Sequence, residues 1–430
     1  MPPKSGGSNK SYQKHAKSSK IQPISHRTAD ANNNSKDARA TKDSVSLALQ
    51  QKLLSIFRNA FPSRFEPDLP AWLQEVKRFL YHREFSRAFE RDEYREAYAV
   101  RWSPSRALGY LEILAEVVDG IRNTKNKDVE ETEHCEDIED SMKRLGLEIE
   151  IKIVCLGGGA GAEMVSLAGV LNILQQEKTP ALKESDENIK TPDTNPIEVQ
   201  RQDVRLNVGF IDIANWASIL DRLYKTITTP PVLSSYASAA VKVSNAPLVP
   251  AATLSFTFHQ HDVLKLQPGE LYSLVGDCDL VTLFFTLNEL YTTSSPLTQT
   301  FLLNLTACTK VGSLLLVVDS AGSYSEVGLG KEEVKKYPMQ WLLDHTLLKS
   351  ATEVGFSHPV DSLAEDESSG RKKERKILEG RRNDVLKWEK LRDEESCWFR
   401  LPDGLKYPLE LENMRYQVHL YRRIAGLVTE

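Results

Sequence analysis

The feature that most constrains the fold is a short apolar segment that runs directly into a glycine-rich turn. Residues 151–161 read IKIVCLGGGAG, and the apolar, β-branched stretch 152–156 is typical of a buried central strand. The spacing of apolar residues after Ala162 predicts a helix. A strand, a glycine loop and a helix allow a nucleotide-like ligand to approach the backbone at a helix N-terminus. We therefore expect an α/β fold with a ligand site at this turn.

The part of the chain before this strand divides into two regions by composition. Residues 1–43 are rich in Ser, Asn and Lys and predict a disordered basic tail, either simply solvated or an arm for nuclear import or RNA contact. Residues 44–145 predict a helical N-terminal domain that ends in an acidic connection over 123–143. Its apolar periodicity predicts helices within Ser44–Phe61, Leu69–Phe89 and Arg106–Ile121.

Residues 146–430 predict an α/β domain with a doubly wound, mostly parallel sheet. Five apolar strand candidates alternate with helical or loop stretches, namely Ile151–Leu156, Leu206–Asp212, Thr253–His259, Leu280–Thr286 and Ser313–Asp319. The segment Arg415–Arg423 alternates polar and apolar residues, which predicts an antiparallel edge strand at the end of the sheet. We expect flexible insertions near 176–203, 229–251 and 361–395.

Cysteine usage and hydropathy indicate the compartment. The five cysteines are scattered without a CxxC pair, which predicts free thiols in a reducing, intracellular compartment. No apolar run approaches the roughly 20 residues of a membrane span, and no Cys/His cluster has metal-ligand spacing. We expect neither a membrane segment nor a metal site.

Polar residues follow the predicted strands where a parallel sheet places its ligands. Asp212 ends the second strand and suits a ribose diol, or is a helix N-cap. Asp262 follows the third strand and suits an adenine amino group, or lies in a surface turn. Thr286, Asn288 and Glu289 follow the fourth strand and form a site, or cap the next helix.

The glycine loop alone is compatible with two cofactors. Gly157, Gly159 and Gly161 fit a GxGxG loop, while Gly157, Gly159 and Ala162 fit the GxGxxG/A dinucleotide pattern equally well. A tight turn that binds nothing is disfavoured, because with Gly158 the loop has four glycines in five positions. An NAD(P)-dependent oxidoreductase is the less favoured reading. Its pattern requires an acid about 20 residues later at the end of a second strand, but that region of this chain is a helix and a polar insertion.

The order of these features resembles class I S-adenosylmethionine (SAM) methyltransferases, which are Rossmann-like proteins. Stretches 101–110, 286–291, 398–402 and 411–416 further resemble the fungal 25S ribosomal RNA uridine-N3 methyltransferases, over about residues 45–425. The resemblance implies SAM as cofactor and large-subunit ribosomal RNA, or a pre-ribosomal particle, as partner. It also implies N3-methylation of a uridine in the nucleus, nucleolus or cytoplasm.

The resemblance also implies roles for individual residues. The glycine loop would hold the methionine part of SAM, Asp212 its ribose and Asp262 its adenine, while Thr286 would border the methyl group. The family usually has an acid where this chain has Cys155, so the methionine amino group falls to the backbone or to Glu163. Cys155 is also the best support for a non-catalytic ribosome biogenesis factor with this fold.

N3-methylation requires removal of the N3–H proton, and Glu289 is the candidate general base with Asn288 orienting the uracil. The candidate RNA contacts are aromatic and basic residues suited to stacking and phosphate binding. They are Arg101, Trp102, Arg106, Trp398 and Arg400. Either tryptophan is also compatible with half-buried packing.

Overall fold

The predicted central strand lies in the middle of a seven-stranded sheet. The structure, a computed structural model, describes residues 45–132, 149–176, 204–322, 324–328, 334–349 and 387–425. The sheet order is β3-β2-β1-β4-β5-β9-β8. These strands are β1 Ile149–Leu156, β2 Val204–Asp212, β3 Leu254–Gln260, β4 Leu280–Phe284, β5 Leu314–Ser320, β8 Lys387–Phe399 and β9 Met414–Ile424. A separate antiparallel hairpin contains β6 Tyr324–Gly328 and β7 Val334–Pro338.

Helices cover both faces of this sheet. They are α1 Leu47–Ala60, α2 Leu69–Tyr81, α3 Phe85–Ala88, α4 Asp92–Thr132, α5 Ala162–Gln176, α6 Ala217–Thr228, α7 Ala239–Val243, α8 Pro268–Val275, α9 Leu287–Thr293, α10 Ser295–Cys308 and α11 Met339–Asp344. Short 3-10 turns span Pro62–Arg64 and Ala251–Thr253, and a π-helix spans His345–Lys349.

Alternation along β1 divides the core into two layers. Ile151, Ile153 and Cys155 pack with α1, α4, α5 and α6, whereas Val154 and Leu156 pack on the opposite face with α8 to α11. The first five strands run parallel, and β9 runs antiparallel to β5. The predicted fold class, a mostly parallel Rossmann-like sheet with an antiparallel C-terminal strand, is therefore confirmed.

The helices before the sheet differ from the sequence prediction in length. The predicted helix 106–121 belongs to the longer α4, which continues into the predicted acidic connection. Pro104 lies inside α4 and has no N–H to donate to Val100, and the Val100 carbonyl instead accepts from the Tyr407 hydroxyl at 2.8 Å. The predicted helix 69–89 is interrupted after α2, where Arg83 has a φ of +57°.

Two expectations for the C-terminal region are wrong. The predicted strand 415–423 exists within β9, but it is not the edge, because β8 pairs with it and forms the edge. The prediction of a flexible insertion over 361–395 is wrong for residues 387–395, because they belong to β8. Its charged sequence, KWEKLRDEESCWF, is typical of an edge strand and also resembles a solvated loop.

The other predicted insertions and the tail are only partly within the described residues. The insertion 229–251 contains the short helix α7, so it is not entirely loop. The insertion 176–203, beyond Gln176, lies outside the described residues, as does the tail 1–43. The predicted boundary near residue 145 between a helical and an α/β domain stays a prediction.

The contact between α5 and the N-terminal helices predicts a measurable effect on stability. A Cβ added at Gly169 would lie 2.8 Å from Leu111 Cδ1 and 3.1 Å from Leu53 Cδ1. We expect Gly169→Val to lower the free energy of unfolding by about 1–3 kcal/mol through overpacking. Gly120→Val is the matched helical control, because nothing lies within 4 Å of its Cβ position. Equal denaturation midpoints for the two variants would contradict this packing.

Candidate functional site

The ends of the parallel strands converge at one edge of the sheet. The Gly157 N–H donates to the Ile211 carbonyl at 2.8 Å, and the His261 N–H donates to the Asp212 carbonyl at 2.9 Å. The Phe285 N–H donates to the Val318 carbonyl at 2.7 Å. The strand order reverses between β1 and β4, which is the position where open α/β sheets bind ligands.

The glycine loop passes too close to its neighbours to carry side chains. Gly157 and Gly161 have φ values of +81° and +83°. A Cβ at Gly157 would lie 2.2 Å from Thr286 Oγ1, and one at Gly159 would lie 2.1 Å from Trp216 Cδ1. The loop backbone therefore packs directly against Thr286 at the end of β4 and Trp216 at the start of α6, and its glycines add no side chain of their own to the cradle that it forms.

Glu163 places a carboxyl group beside this loop. The residue lies in the first turn of α5 and is buried. A Cβ at Gly158 would lie 2.9 Å from Cys155 Cβ and 3.0 Å from Glu163 Oε1, so both side chains border the same point of the loop. Burial raises the pKa of Glu163 to about 7, against the opposing charge of Arg106. Burial also raises the pKa of the Cys155 thiol, which keeps it neutral.

Asp212 ties the glycine loop to the end of β2. Its Oδ2 accepts from the Gly159 N–H at 3.2 Å, and its Oδ1 accepts from the Ala214 N–H at 3.1 Å. It is not the helix N-cap, because Asn215 Oδ1 accepts from the first N–H of α6, that of Ala217. A carboxylate has about four acceptor positions, so these two bonds leave capacity for a diol.

Asp262 follows β3 at the same edge of the sheet. Its Oδ1 accepts from the Leu264 N–H at 3.1 Å, and its Oδ2 pairs with Lys265 at 2.9 Å. These are the contacts of a turn, and the carboxylate remains half-buried next to the end of β2.

The residues after β4 are not a simple helix cap. Phe285 has a φ of +52°, which turns the chain sharply at the end of the strand. Thr286 donates to the Phe284 carbonyl at 3.0 Å and does not cap α9. The Asn288 N–H donates instead to Asp319 Oδ2 of β5 at 3.0 Å. Among the described residues, the buried Asn288 Oδ1 has no hydrogen-bond donor.

Asp319 is a site residue that the sequence analysis did not single out. It ends β5 as the last buried side chain before Ser320, whose N–H donates to Asp319 Oδ1 at 2.7 Å. Burial raises the pKa of Asp319 to about 6. The acid at the end of a buried strand was a usable sequence signal, because the same rule selects Asp212.

Helix α4 forms the wall of the site opposite the sheet. Arg106 Nη1 donates to the Tyr98 hydroxyl at 2.6 Å, and its guanidinium lies 5.1 Å from the centre of the Phe285 ring. Ser103 Oγ donates to the Ala160 carbonyl of the glycine loop at 2.8 Å. Arg106 is thus the one predicted RNA contact that the structure brings together with the loop and the end of β4.

The other four predicted RNA contacts lie elsewhere. Arg101 is buried in an ion pair with Glu412, and the half-buried Trp102 packs on Tyr98 with ring centroids 4.9 Å apart. Trp398 is 54% exposed, with the guanidiniums of Arg400 and Arg415 4.9 and 5.9 Å from its ring. Ser320 of β5 pairs with Tyr416, and Tyr416 pairs with Cys397, so this exposed cluster also lies at the carboxyl edge.

Glu289 forms an ion pair with Arg83, in the helical region before the sheet. Its Oε2 lies 2.5 Å from Arg83 Nη1, and both side chains are partly exposed. Burial raises the pKa of Glu289, and the charge of Arg83 opposes that rise.

Two absences apply to the described parts of the chain alone. Within them, we find no group of three or more His, Cys, Asp or Glu side chains that could hold a metal ion. Nor does any described helix combine the length and apolar character needed to cross a membrane.

Together these features define an α/β protein with a glycine loop, two carboxyl groups beside that loop, and a polar strand end. A family model described as "Putative SAM-dependent methyltransferase" matches residues 57–422. Because this match covers most of the chain, the protein belongs to that family of SAM-dependent methyltransferases. The cradle of the loop, Asp212 and Glu163 fit SAM, and the expected cofactor is confirmed.

The chain is also similar to several individual proteins. The chain is 27% identical over 382 residues to the 25S rRNA (uridine(2843)-N(3))-methyltransferase of Saccharomyces cerevisiae, covering 86% of this chain and 85% of that protein. An O-methyltransferase family protein from Burkholderia thailandensis is 11% identical, with 87% and 73% of the two chains covered and a TM-score of 0.30. A SAM-dependent methyltransferase from Clostridium acetobutylicum is 9% identical, with 67% and 89% covered and a TM-score of 0.25.

The buried carboxyl of Glu163 predicts a pH dependence of stability. Its pKa is about 7 in the folded chain, above the 4.5 of an ordinary glutamate carboxyl, so protonation favours the folded state. The stability that the protonated Glu163 contributes is fully present below pH 4.5, and it is lost as the pH rises through about 7. We expect Glu163→Gln to be more stable than the parent at pH 8 by about 1–3 kcal/mol, with a smaller difference at pH 5.

Chemical denaturation at both pH values measures this difference. Glu410→Gln, at an exposed position, is the control and should leave stability unchanged at both. A Glu163→Gln difference that does not vary with pH would contradict a raised pKa for Glu163.

Proposed function

We propose that this chain methylates N3 of a uridine in large-subunit ribosomal RNA, with SAM as methyl donor. The observation that carries the proposal is the position just after β4 of the Glu289 carboxyl next in sequence to Asn288, whose buried Oδ1 has no hydrogen-bond donor among the described residues. N3 of uracil bears a proton that must be removed, and these side chains offer a base and an acceptor for it. The relationship to the yeast 25S rRNA enzyme over most of both chains supports the choice of substrate.

We assign the cofactor contacts to the residues around the loop. Gly157, Gly158, Gly159 and Gly161 would hold the methionine part through their backbone, and Glu163 would bind its amino group in place of the acid absent at Cys155. Asp212 would bind the ribose hydroxyls, Asp262 the adenine amino group, and Thr286 would border the methyl group. SAM itself supplies an electrophilic methyl group on a sulfonium.

The residues of the chain supply orientation and proton removal. N3 gains a methyl group and loses a proton, so one proton must leave the site in each turnover. The Glu289 carboxylate would take that proton, and Asn288 would orient the uracil edge. Arg106 would face the target base from α4, because its guanidinium lies over Phe285 at the end of β4.

We assign RNA binding outside the reacting base to the Trp398 cluster, defined as Trp398, Arg400 and Arg415. An exposed indole with guanidiniums 4.9 and 5.9 Å from its ring would offer a stacking surface for an unpaired base and two charges for phosphates. Strand β8 is three strands from β4, about 14 Å at the usual strand spacing. Arg101 and Trp102 would act indirectly, since both are used in packing α4.

The proposed substrate is either naked ribosomal RNA or a pre-ribosomal particle. The proposed location is inside the cell, in the nucleus or nucleolus or in the cytoplasm. These alternatives share one chemistry and differ in the state of the RNA. Both forms of substrate therefore belong in the assay.

The direct test is incubation of the purified protein with SAM carrying a deuterated methyl group and with unmodified large-subunit RNA. Mass spectrometry of the digested nucleosides should show labelled 3-methyluridine, and Glu289→Gln should reduce it at least about a hundredfold. Glu150→Gln, exposed at the amino end of β1 and so at the opposite edge of the sheet, should retain full activity. Label in another nucleoside would overturn the substrate, and SAM binding without any transfer would indicate a non-catalytic module.

The Trp398 cluster predicts a separate effect on RNA affinity. We expect Trp398→Ala to raise the Kd for a substrate fragment about fivefold or more, because base stacking on an aromatic ring contributes about 1–3 kcal/mol. Trp341→Ala is the matched control, since this exposed indole stacks on Tyr337 and His345 instead. Filter binding measures both, and equal losses would argue against a specific role for Trp398.

A further inference from the structure

We propose that Arg83, from the turn between α2 and α3, is a positioning residue that keeps Glu289 ionised and oriented for proton removal. The inference rests on the proposed function of the same site. It adds a residue from the helical region before the sheet to a site otherwise built from strand ends.

The contact between these residues joins distant parts of the chain. Arg83 Nη1 lies 2.5 Å from Glu289 Oε2, although 206 positions separate the two residues in sequence. The ion pair therefore fixes the turn after α2 against the first turn of α9. Because the pair uses Oε2, Oε1 is the oxygen that would accept the proton.

The backbone around Arg83 is arranged to present this side chain. Among the described residues, Arg83 and Phe285 are the two non-glycine residues with positive φ, at +57° and +52°. A left-handed conformation costs a non-glycine residue about 1–2 kcal/mol, so it persists where surrounding contacts maintain it. Two hydrogen bonds close the turn, from Arg83 N–H to the Leu80 carbonyl at 3.0 Å and from Glu84 N–H to the Phe79 carbonyl at 2.9 Å.

The charges around Glu289 favour this role for Arg83. Asp319 from β5 lies close enough for its charge to be coupled to that of Glu289, and like charges oppose ionisation. Asp344 of α11, which also packs against α9, is paired with Lys390. Burial raises the pKa of Glu289, and Arg83 is the opposing positive charge. Removal of Arg83 leaves burial and Asp319 to favour the protonated, inactive carboxyl.

The first test is the pH profile of methyl transfer by Arg83→Gln. We expect its acid limb to move to higher pH, with activity about fivefold below the parent at pH 6 and a smaller deficit at pH 8. Arg83→Lys, which keeps the charge, should restore most of the activity at pH 6. SAM affinity by calorimetry should be unchanged, because Arg83 is not among the proposed cofactor contacts.

Arg87→Gln is the matched control. Arg87 lies in the neighbouring helix α3 and pairs with Glu84, not with Glu289. The variant should keep the parental pH profile. A loss in Arg83→Gln that is equal at all pH values, or a higher KM for RNA with an unmoved acid limb, would overturn the proposal. The first result would indicate a structural role, and the second would indicate a phosphate contact.

A second readout does not depend on activity. Carbon-13 NMR of glutamate-labelled protein, with Glu289→Gln to assign the signal, follows the titration of Glu289 directly. Arg83→Gln should shift that titration to higher pH. An unshifted titration would overturn the Arg83 role even in an active enzyme. If the titration shifts but the protein makes no 3-methyluridine, the electrostatic coupling of Arg83 to Glu289 is supported and the proposed function is overturned.

Discussion

The close approach of the glycine-loop backbone to the end of β4 is the constraint on which the site depends. With no side chain at Gly157 or Gly159, the loop packs directly on Thr286 and Trp216. This packing brings Asp212 within hydrogen-bond distance of Gly159 N–H and places Glu163 beside the loop. A side chain at either glycine would separate the carboxylates that are proposed to hold the amino group and the ribose of SAM.

Several carboxyl groups lie around this loop, and burial disfavours their ionised forms. Glu163 and Asp319 both have raised pKa values because they are buried at the strand ends. A cationic amino group bound at Glu163 would favour the ionised form there, so cofactor binding and folding stability are linked. Two arginines from the helical region before the sheet supply opposing positive charges: Arg106 acts on both of these acids, and Arg83 pairs with Glu289. That region is therefore part of the site and also a packing layer.

The parts of this fold that follow from the sequence have a local, periodic signal. The five parallel strands were predictable because each is rich in apolar, β-branched or aromatic residues, either continuously or at alternate positions, and ends in polar or glycine residues. β8 was missed because a charged edge strand has the composition of a solvated loop. Arg83 was missed for a different reason: its contact with Glu289 spans 206 positions, and tertiary ion pairs leave no periodic pattern.

The central claim is that Glu163 replaces the acid that Cys155 does not provide. A crystal structure of the protein with bound S-adenosylhomocysteine tests it most directly. We predict the amino group of the ligand about 3 Å from a Glu163 carboxylate oxygen, with its ribose hydroxyls on Asp212. An amino group held only by other atoms, with Glu163 bonded within the protein, would contradict the account.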